Sequence, residues 1–261
     1  MTLNITFGIL SSEINRCDNL NRTIQSILLQ NIPMNNYEII VIHSYPIDIT
    51  YKNNNIKYIR YNNGKTKKKV IIMEKRKKII ELSNKEYILV LKDYHILYEK
   101  WYDNFTNDKI AGYDLFLNEI ILQNGERYLD FCIGNLCNYM KLNITDYRSK
   151  GVLLPYIFSD NPKIVKLLDC YVSGATFICK RDILQKLKYN YSKKKKNKDT
   201  YYCRRLFKLV GYKIKYCSGC KITCMKTNIS KKYYNRSKLV DDNIIRCIEN
   251  KCIENKNITL L

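Results

Sequence analysis

The chain has 261 residues, 46% of them hydrophobic, which is enough to fill one sizeable core and excludes a wholly disordered protein. Its apolar runs fall far short of the ~20 residues of a membrane helix, and the opening MTLNITFGIL has no basic leader or cleavage site, so we expect neither a membrane span nor secretion. The formal charge of +22 attracts anionic partners in general, although an AT-rich coding sequence also produces such an excess of Lys, Asn, Ile and Tyr.

Eleven cysteines are scattered along the chain without a paired CxxC framework. An odd number of cysteines without a leader indicates reduced, mostly buried thiols, so we expect a cytoplasmic location. Cys217, Cys220 and Cys224 have a spacing that a zinc site allows, but the histidine partners of such a site are missing.

The first half of the chain alternates strand and helix patterns in the order βαββαβ. The predicted strands are Leu3–Leu10, Tyr37–Ile42, Ile56–Tyr61 and Tyr87–Leu91, and the predicted helices are Leu20–Leu29 and the basic, amphipathic Lys65–Leu82. This order predicts an α/β fold with a mostly parallel sheet and a ligand crevice at the carboxyl ends of its strands. No GxGxxG follows the first strand and no GxxxxGK[ST] occurs, which excludes a dinucleotide fingerprint and a P-loop.

The second half of the chain is less regular. Its predicted elements are a hairpin of Asp114–Ile121 and Arg127–Ile133 around a turn at 123–125, a strand Tyr171–Cys179 interrupted by Gly174, a short helix Lys180–Lys188, a helix Thr200–Val210 closed by Gly211, and a strand Lys213–Cys217. From about Lys226 the chain becomes polar and repetitive, which predicts a peripheral helix with a frayed end.

Side chains that are able to bind a metal ion or a phosphate group are concentrated in the stretch Tyr87–Trp101, YILVLKDYHILYEKW. An apolar strand leads there directly into Lys92, Asp93 and His95. Because ligands bind where the strands of an open α/β sheet end, Asp93 is the first candidate for a functional residue.

Four stretches of this chain together resemble the family-2 glycosyltransferases of the GT-A fold, in a divergent form found in large DNA viruses and microbes. They are ITFGILSSEINRCDNLNRTIQSILLQNIPMNNYEIIVI, KEYILVLKDYHILYEKWYDNF, NEIILQNGERYLDF and LLDCYVSGATFICKRDIL. Their order and spacing agree over roughly residues 3–225. The resemblance implies a GT-A-like mixed, mostly parallel central sheet flanked by helices, in a domain of residues 1–225, followed by a peripheral polar helix or tail of residues 226–261.

The resemblance also implies a site for a nucleotide-sugar. Its implied members are Ser11, Ser12 and Glu13 against the nucleotide, His43 where an acidic residue often contacts the base, Lys75, Arg76 and Lys77 near the diphosphate, Lys92 and Asp93 at the fourth strand, and Ser173 and Gly174 on the sugar and acceptor side. Asp199 matches the carboxylate that activates the acceptor. An alternative role for Asp199 is an N-cap for the helix that follows.

The chain departs from the family pattern at the metal motif. Two carboxylates spaced as DxD ordinarily hold Mn²⁺ or Mg²⁺ against the diphosphate, but their positions here become Lys92 and Tyr94, which leaves Asp93-x-His95. Asp93 and His95 can both ligate Mn²⁺, so a metal site remains chemically feasible, and Lys92 is equally able to supply positive charge without a metal ion.

We therefore predict an inverting glycosyltransferase that moves a sugar from a nucleotide-sugar to a hydroxyl acceptor on a glycan or protein. A UDP-sugar is expected in preference to a GDP-sugar, in the host cytoplasm if the protein is viral. One alternative is a catalytically degenerate GT-A-fold protein that binds or scaffolds. Another is a basic nucleic-acid-associated protein, for which the sequence shows no specific binding motif.

Overall fold

The architecture is taken from a computed structural model. It describes residues 3–11, 17–47, 50–61, 68–107, 111–128, 130–133, 152–168, 170–172, 176–187, 198–226 and 246. The predicted tail beyond Lys226 lies, apart from the single helical position 246, outside these residues.

The first half of the chain folds in the predicted βαββαβ order. Its elements are β1 (Ile5–Ser11), α1 (Cys17–Leu28), β2 (Tyr37–His43), β3 (Ile56–Arg60), α2 (Lys68–Leu82) and β4 (Tyr87–Lys92), with a 3₁₀ turn at Met34–Asn36. All seven residues of β1 and of β2 are buried, which accounts for their unbroken apolar character.

The remaining elements are shorter and change direction more often. They are β5 (His95–Leu97), α3 (Trp101–Asn107), β6 (Leu115–Leu122), β7 (Phe131–Ile133), β8 (Val152–Leu153), a 3₁₀ turn at Tyr156–Phe158, α4 (Pro162–Leu167), β9 (Tyr171–Val172), β10 (Phe177–Lys180), α5 (Arg181–Lys186), α6 (Lys198–Leu209) and β11 (Lys215–Cys224). Gly211 follows α6 with a φ of 61°, the left-handed conformation that glycine adopts after a helix.

An eight-stranded sheet in the order β3-β2-β1-β4-β10-β6-β11-β5 forms the centre of the described structure. β3, β2, β1 and β4 are parallel neighbours, and β6 pairs with β11 in the same way. β10 is antiparallel to both β4 and β6, and β5 is antiparallel to β11. The sheet is therefore mixed, with its parallel half at the amino-terminal end of the chain.

Helices cover the sheet on both faces. On one face, Leu20, Ile24 and Ile27 of α1 and Trp101 and Phe105 of α3 pack against alternate residues of β1, β2 and β4. On the other face, α2 and α6 pack against the intervening residues. These two layers bury both faces of the parallel strands, as their apolar sequences require.

The structure corrects three sequence predictions. The predicted hairpin strand Arg127–Ile133 does not form a ladder with β6. It makes one isolated bridge, between Ile121 and Arg127, and β7 then belongs to a separate sheet in the order β8-β7-β9. The predicted strand Tyr171–Cys179 is two strands, β9 and β10, in different sheets. The predicted strand Lys213–Cys217 extends to Cys224, because its second half pairs with both β6 and β5.

None of the helices in the described ranges combines the length and the apolar character that crossing a bilayer requires.

A close approach of α2 to the sheet occurs at Gly8. A Cβ atom added to Gly8 would lie 2.4 Å from Cγ2 of Ile79, far inside van der Waals contact. We therefore expect Gly8→Ala to lower the free energy of unfolding by about 1–3 kcal/mol, the usual cost of overpacking. Urea unfolding followed by circular dichroism measures this change.

The Gly8/Ile79 double-mutant cycle distinguishes steric conflict from a general effect on the strand. Ile79→Ala alone should cost about 2–5 kcal/mol because it leaves a cavity. In the double variant the methyl group introduced by Gly8→Ala enters that cavity, so the combined cost should fall below the sum by about 1 kcal/mol or more. Strictly additive costs would contradict the proposed contact.

Candidate active site

The carboxyl ends of three parallel strands bring the main candidate residues together. Ser11 ends β1, His43 ends β2 and is its register partner, and Asp93 follows β4 directly. Asp93 also donates its backbone N–H to the Leu10 carbonyl, at 3.4 Å. The convergence follows from parallel pairing, which places the ends of neighbouring strands at one edge.

A hydrogen-bonded cluster is built around Ser11. Its hydroxyl donates to Oδ2 of Asp93 at 2.8 Å and lies 2.6 Å from the hydroxyl of Tyr45. Lys75, from α2, donates its ammonium to the Ser11 carbonyl. The three charged or hydroxyl-bearing side chains of Ser11, Lys75 and Asp93 are each at most 1% exposed. We refer to Ser11, Tyr45, Lys75 and Asp93 as the strand-end cluster.

Lys75 and Asp93 form the electrostatic centre of this cluster. Burial lowers the pKa of Lys75 to about 8, although the negative charge of Asp93 opposes this shift. Lys75 is therefore mostly protonated at pH 7 and carries a positive charge near the Asp93 carboxylate.

His43 is held in one tautomer. Its Nδ1 lies 2.6 Å from the backbone carbonyl of Tyr45, and because a carbonyl only accepts, Nδ1 carries the proton. In the neutral ring Nε2 is then a hydrogen-bond acceptor. An acceptor here has the same polarity as the acidic residue that the resemblance leads us to expect.

His95 is fully buried and differs from His43 in polarity. Its Nδ1 accepts the backbone N–H of Lys92 at 3.2 Å. Burial, with a smaller contribution from the Lys92 ammonium, lowers the pKa of His95 to about 3, so the ring is neutral and its proton lies on Nε2. That Nε2 is buried and has no hydrogen-bond partner in the part of the chain that the structure describes.

Two basic residues of α2 do not join the strand-end cluster. Lys77 lies on the exposed side of the helix, where it pairs with Glu81 at 3.4 Å. Arg76 is fully buried and places its guanidinium 5.2 Å from the ring centroid of Tyr202 in α6. Tyr202 is one helical turn after Asp199, so Arg76 connects α2 with the helix that carries the candidate base.

Asp199 is the second residue of α6, which begins at Lys198. The helix thus starts two residues earlier than predicted and includes Asp199 in its first turn, past the N-cap position. The side chain of Asp199 and the predicted site residues Ser12, Glu13, Ser173 and Gly174 lie outside the described part of the structure.

Of the two predicted metal ligands, His95 does not offer a lone pair to a divalent cation. Nδ1 of His95 already accepts a hydrogen bond and Nε2 carries a proton, so the neutral ring has no free lone pair. Among the described residues no group of three or more His, Cys, Asp or Glu side chains is arranged to hold a metal ion, and this includes the buried Cys217, Cys220 and Cys224.

Two tyrosines at this edge were not indicated by any sequence pattern. Tyr45 lies two residues beyond β2 and reaches the Ser11 hydroxyl. Tyr61 follows β3, donates its backbone N–H to the His43 carbonyl at 2.7 Å, and donates its hydroxyl to Glu74 of α2. Their positions just after strand ends were the available signal, but with 23 tyrosines in the chain that signal is weak.

Solved structures resemble this chain over 90% to 99% of its length. S. aureus TarS residues 1–349 in complex with UDP-GlcNAc matches with a TM-score of 0.54 and 16% identity over 99% of this chain and 68% of that chain. The TarS fragment with UDP matches with a TM-score of 0.54 and 15% identity, covering 99% and 67%. The mannosyltransferase PcManGT from Pyrobaculum calidifontis, in complex with GDP-Man and Mn²⁺, matches with a TM-score of 0.51 and 10% identity, covering 90% and 59%.

These likenesses show the fold, which is the mixed α/β fold of the TarS and PcManGT structures. The chain spans 41% of the longer TarS structure, so TarS contains much that this chain does not match. No protein-family model matches the chain, and no curated protein sequence matches it.

Proposed function

We propose that this protein transfers a sugar from a nucleotide-sugar, preferentially a UDP-sugar, to a hydroxyl acceptor on a glycan or protein, with inversion at the anomeric carbon. The observation that carries the proposal is the strand-end cluster, which joins the ends of β1 and β4 to α2 and lies beside His43 of β2. A crevice at such strand ends is where open α/β sheets bind ligands. The likeness to TarS, solved with UDP-GlcNAc and UDP, supports a nucleotide-sugar as that ligand.

The donor side of the proposed site divides into base and phosphate contacts. His43 offers Nε2 as an acceptor, which suits the N3–H group of uracil. Lys92, half-buried at the end of β4, offers a cation to the diphosphate. In this proposal Ser12 and Glu13 border the nucleotide, and Ser173 and Gly174 border the sugar and the acceptor.

Asp199 is the proposed general base. As the acceptor oxygen bonds to the anomeric carbon, the bond from that carbon to the nucleoside diphosphate breaks, and the acceptor proton passes to the Asp199 carboxylate. Attack from the face opposite the leaving group inverts the configuration. The position of Asp199 on α6, whose Tyr202 contacts buried Arg76, supports this assignment by linking α6 to the helix that supplies Lys75.

A second candidate function is a degenerate member that binds a nucleotide and no longer turns it over. The specific observation in its favour is the enclosure of Asp93, which is 1% exposed and already hydrogen-bonded to Ser11. Both candidates predict nucleotide binding, so they differ only in turnover.

A thermal-shift panel tests the proposed function. UDP, UDP-GlcNAc, GDP and GDP-mannose are added to the purified full chain, each with Mn²⁺ and with EDTA. A ligand present at 100 times its Kd stabilises the folded state by about 2.7 kcal/mol, so the uridine ligands should raise Tm clearly. If none of the four nucleotides shifts Tm at millimolar concentration under either condition, the proposed function is wrong.

A further inference from the structure

The carboxylate expected to hold a metal ion already has a cation nearby. Asp93 accepts a hydrogen bond from Ser11 at 2.8 Å through Oδ2, and the buried ammonium of Lys75 donates to the backbone carbonyl of the same Ser11. Burial lowers the pKa of Lys75, and the negative charge of Asp93 opposes that shift. Both side chains are at most 1% exposed. A divalent ion bound at Asp93 would therefore have to displace or repel a buried positive charge.

His95 also presents the wrong polarity to a metal ion. A ligand to Mn²⁺ or Mg²⁺ must offer a lone pair, whereas Nε2 of His95, which has no partner among the described residues, carries a proton. A buried N–H group without a partner favours an oxygen acceptor, such as a phosphate oxygen or a water molecule. The orphaned atom thus indicates an anionic or neutral oxygen ligand and argues against a cation at this position.

The charges at the end of β4 complement a diphosphate without help from a metal ion. Lys75 and Asp93 both hydrogen-bond to Ser11, so the positive charge of Lys75 offsets part of the repulsion between the Asp93 carboxylate and phosphate oxygens. Lys92 is half-buried at the strand end and adds a further positive charge, close enough to lower the pKa of His95. Lysine ammonium groups bind phosphates as point charges, and their attraction is strengthened where water is excluded.

We propose that Lys75 takes the place of the divalent cation at Asp93, and that the chain binds a nucleoside diphosphate through Lys92 and the strand-end cluster without Mn²⁺ or Mg²⁺. This inference rests on the proposed function, because it concerns the donor diphosphate. Binding of the diphosphate without a metal ion would distinguish this chain from PcManGT, whose solved structure contains Mn²⁺ with GDP-Man.

Calorimetric titration of the full chain with UDP tests the inference directly. We expect Kd values in EDTA and in excess Mn²⁺ that agree within about threefold, since no ion bridges protein and phosphate. Titration of Mn²⁺ alone, followed by the electron paramagnetic resonance signal of the free ion, should show no saturable site below millimolar concentration.

The possible outcomes are distinct. UDP binding that requires Mn²⁺, or that tightens tenfold or more with it, overturns this inference and leaves the proposed function intact. A saturable Mn²⁺ site in the absence of UDP also overturns it. Absence of UDP binding under every condition overturns both the inference and the proposed function.

Substitutions then assign the effect to Lys75. Lys75→Met removes the charge and keeps the chain length, so UDP binding in EDTA should weaken by tenfold or more, and added Mn²⁺ should recover part of it at the uncompensated Asp93. Lys78→Met is the matched control, because Lys78 lies on the same helix and pairs with Glu81 at the surface. If Lys75→Met fails to fold, the wild-type comparison of EDTA with Mn²⁺ still decides the question. A folded Lys75→Met variant with unchanged UDP affinity would contradict the role of Lys75.

Discussion

Asp130→Ala is expected to lower the free energy of unfolding by about 3–5 kcal/mol, the cost of removing one partner from a buried ion pair. Urea unfolding monitored by circular dichroism measures the change, and in a thermal scan the midpoint should fall by on the order of 10 °C.

The expected loss is large because one carboxylate joins several parts of the chain. Oδ1 of Asp130 lies 2.7 Å from Nη2 of Arg127 and accepts the Phe131 N–H at 2.6 Å, while Oδ2 accepts the Ile120 N–H at 3.2 Å and the hydroxyl of Tyr156. Removing Asp130 leaves these donors unsatisfied in a buried site.

Arg127 and two tyrosines form a stacked column over this carboxylate. The Arg127 guanidinium lies 3.7 Å from the ring centroid of Tyr156, and that ring stacks on Tyr216 with centroids 3.8 Å apart and planes 5° apart. Through the contact of Tyr156 with Tyr216, the column packs the 3₁₀ turn of Tyr156–Phe158 against β11. Burial and the neighbouring Asp130 carboxylate raise the pKa of Tyr156 well above its usual value, so its hydroxyl remains a donor.

Two further variants control this prediction. Asp160→Ala removes a half-exposed carboxylate that pairs with Lys215 at 3.3 Å, and it should cost no more than about 1 kcal/mol. Arg127→Ala combined with Asp130→Ala should cost less than the two separate losses together, because the pair is removed as a unit. Equal effects of Asp130→Ala and Asp160→Ala would show that the buried network adds no stability.

Local patterns predicted the parallel half of the fold. The apolar runs at β1, β2 and β4 and the helical spacing of α1 correspond to strands buried on both faces and to one amphipathic helix. Because parallel strands end at one edge, the sequence alone also indicated Asp93 as a candidate.

The antiparallel half depends on contacts between distant residues. Nothing local shows that β10 inserts between β4 and β6, or that β9 and β10 belong to different sheets. The predicted hairpin is shorter than expected. Backbone bonds cross the turn from Leu122 to Glu126 and from Tyr128 to Ile120, but the Ile120 N–H donates to the Asp130 side chain and not to an opposing strand.

The sequence indicated where the candidate site lies, but it did not indicate which of the site residues contact one another. Ser11 and Asp93 are 82 residues apart, and Lys75 reaches the Ser11 carbonyl from 64 residues away, so their pairing has no sequence signature. Lys77 illustrates the same limit, since a basic segment does not reveal which of its residues the helix turns toward solvent.

Asp199→Asn is expected to leave donor binding nearly intact and to cut sugar transfer by roughly 10²-fold or more, the usual scale for a positioned general base. Asp93→Ala should act differently, because it removes the acceptor of the Ser11 hydroxyl that orders the strand-end cluster, and we expect it to weaken UDP binding itself. Turnover is measured as release of UDP, with water serving as acceptor. The substrate is the nucleotide-sugar that gives the largest thermal shift. Binding of UDP is measured by calorimetry. Both assays are run in EDTA as well as in Mn²⁺.

Asp103→Asn is the matched control, since Asp103 is an exposed carboxylate in the first turn of α3, on the opposite face of the sheet from α2 and α6. It should change neither UDP binding nor UDP release. An active transferase requires that the wild type exceed Asp199→Asn in turnover while the two bind UDP equally. If the wild type binds UDP but releases it from the nucleotide-sugar no faster than Asp199→Asn, the protein is a nucleotide-binding relic. If the wild type is active and neither Asp93→Ala nor Asp199→Asn changes UDP binding or turnover, the assignment of Asp93 and Asp199 to the site is wrong. The fold would be unaffected by that result.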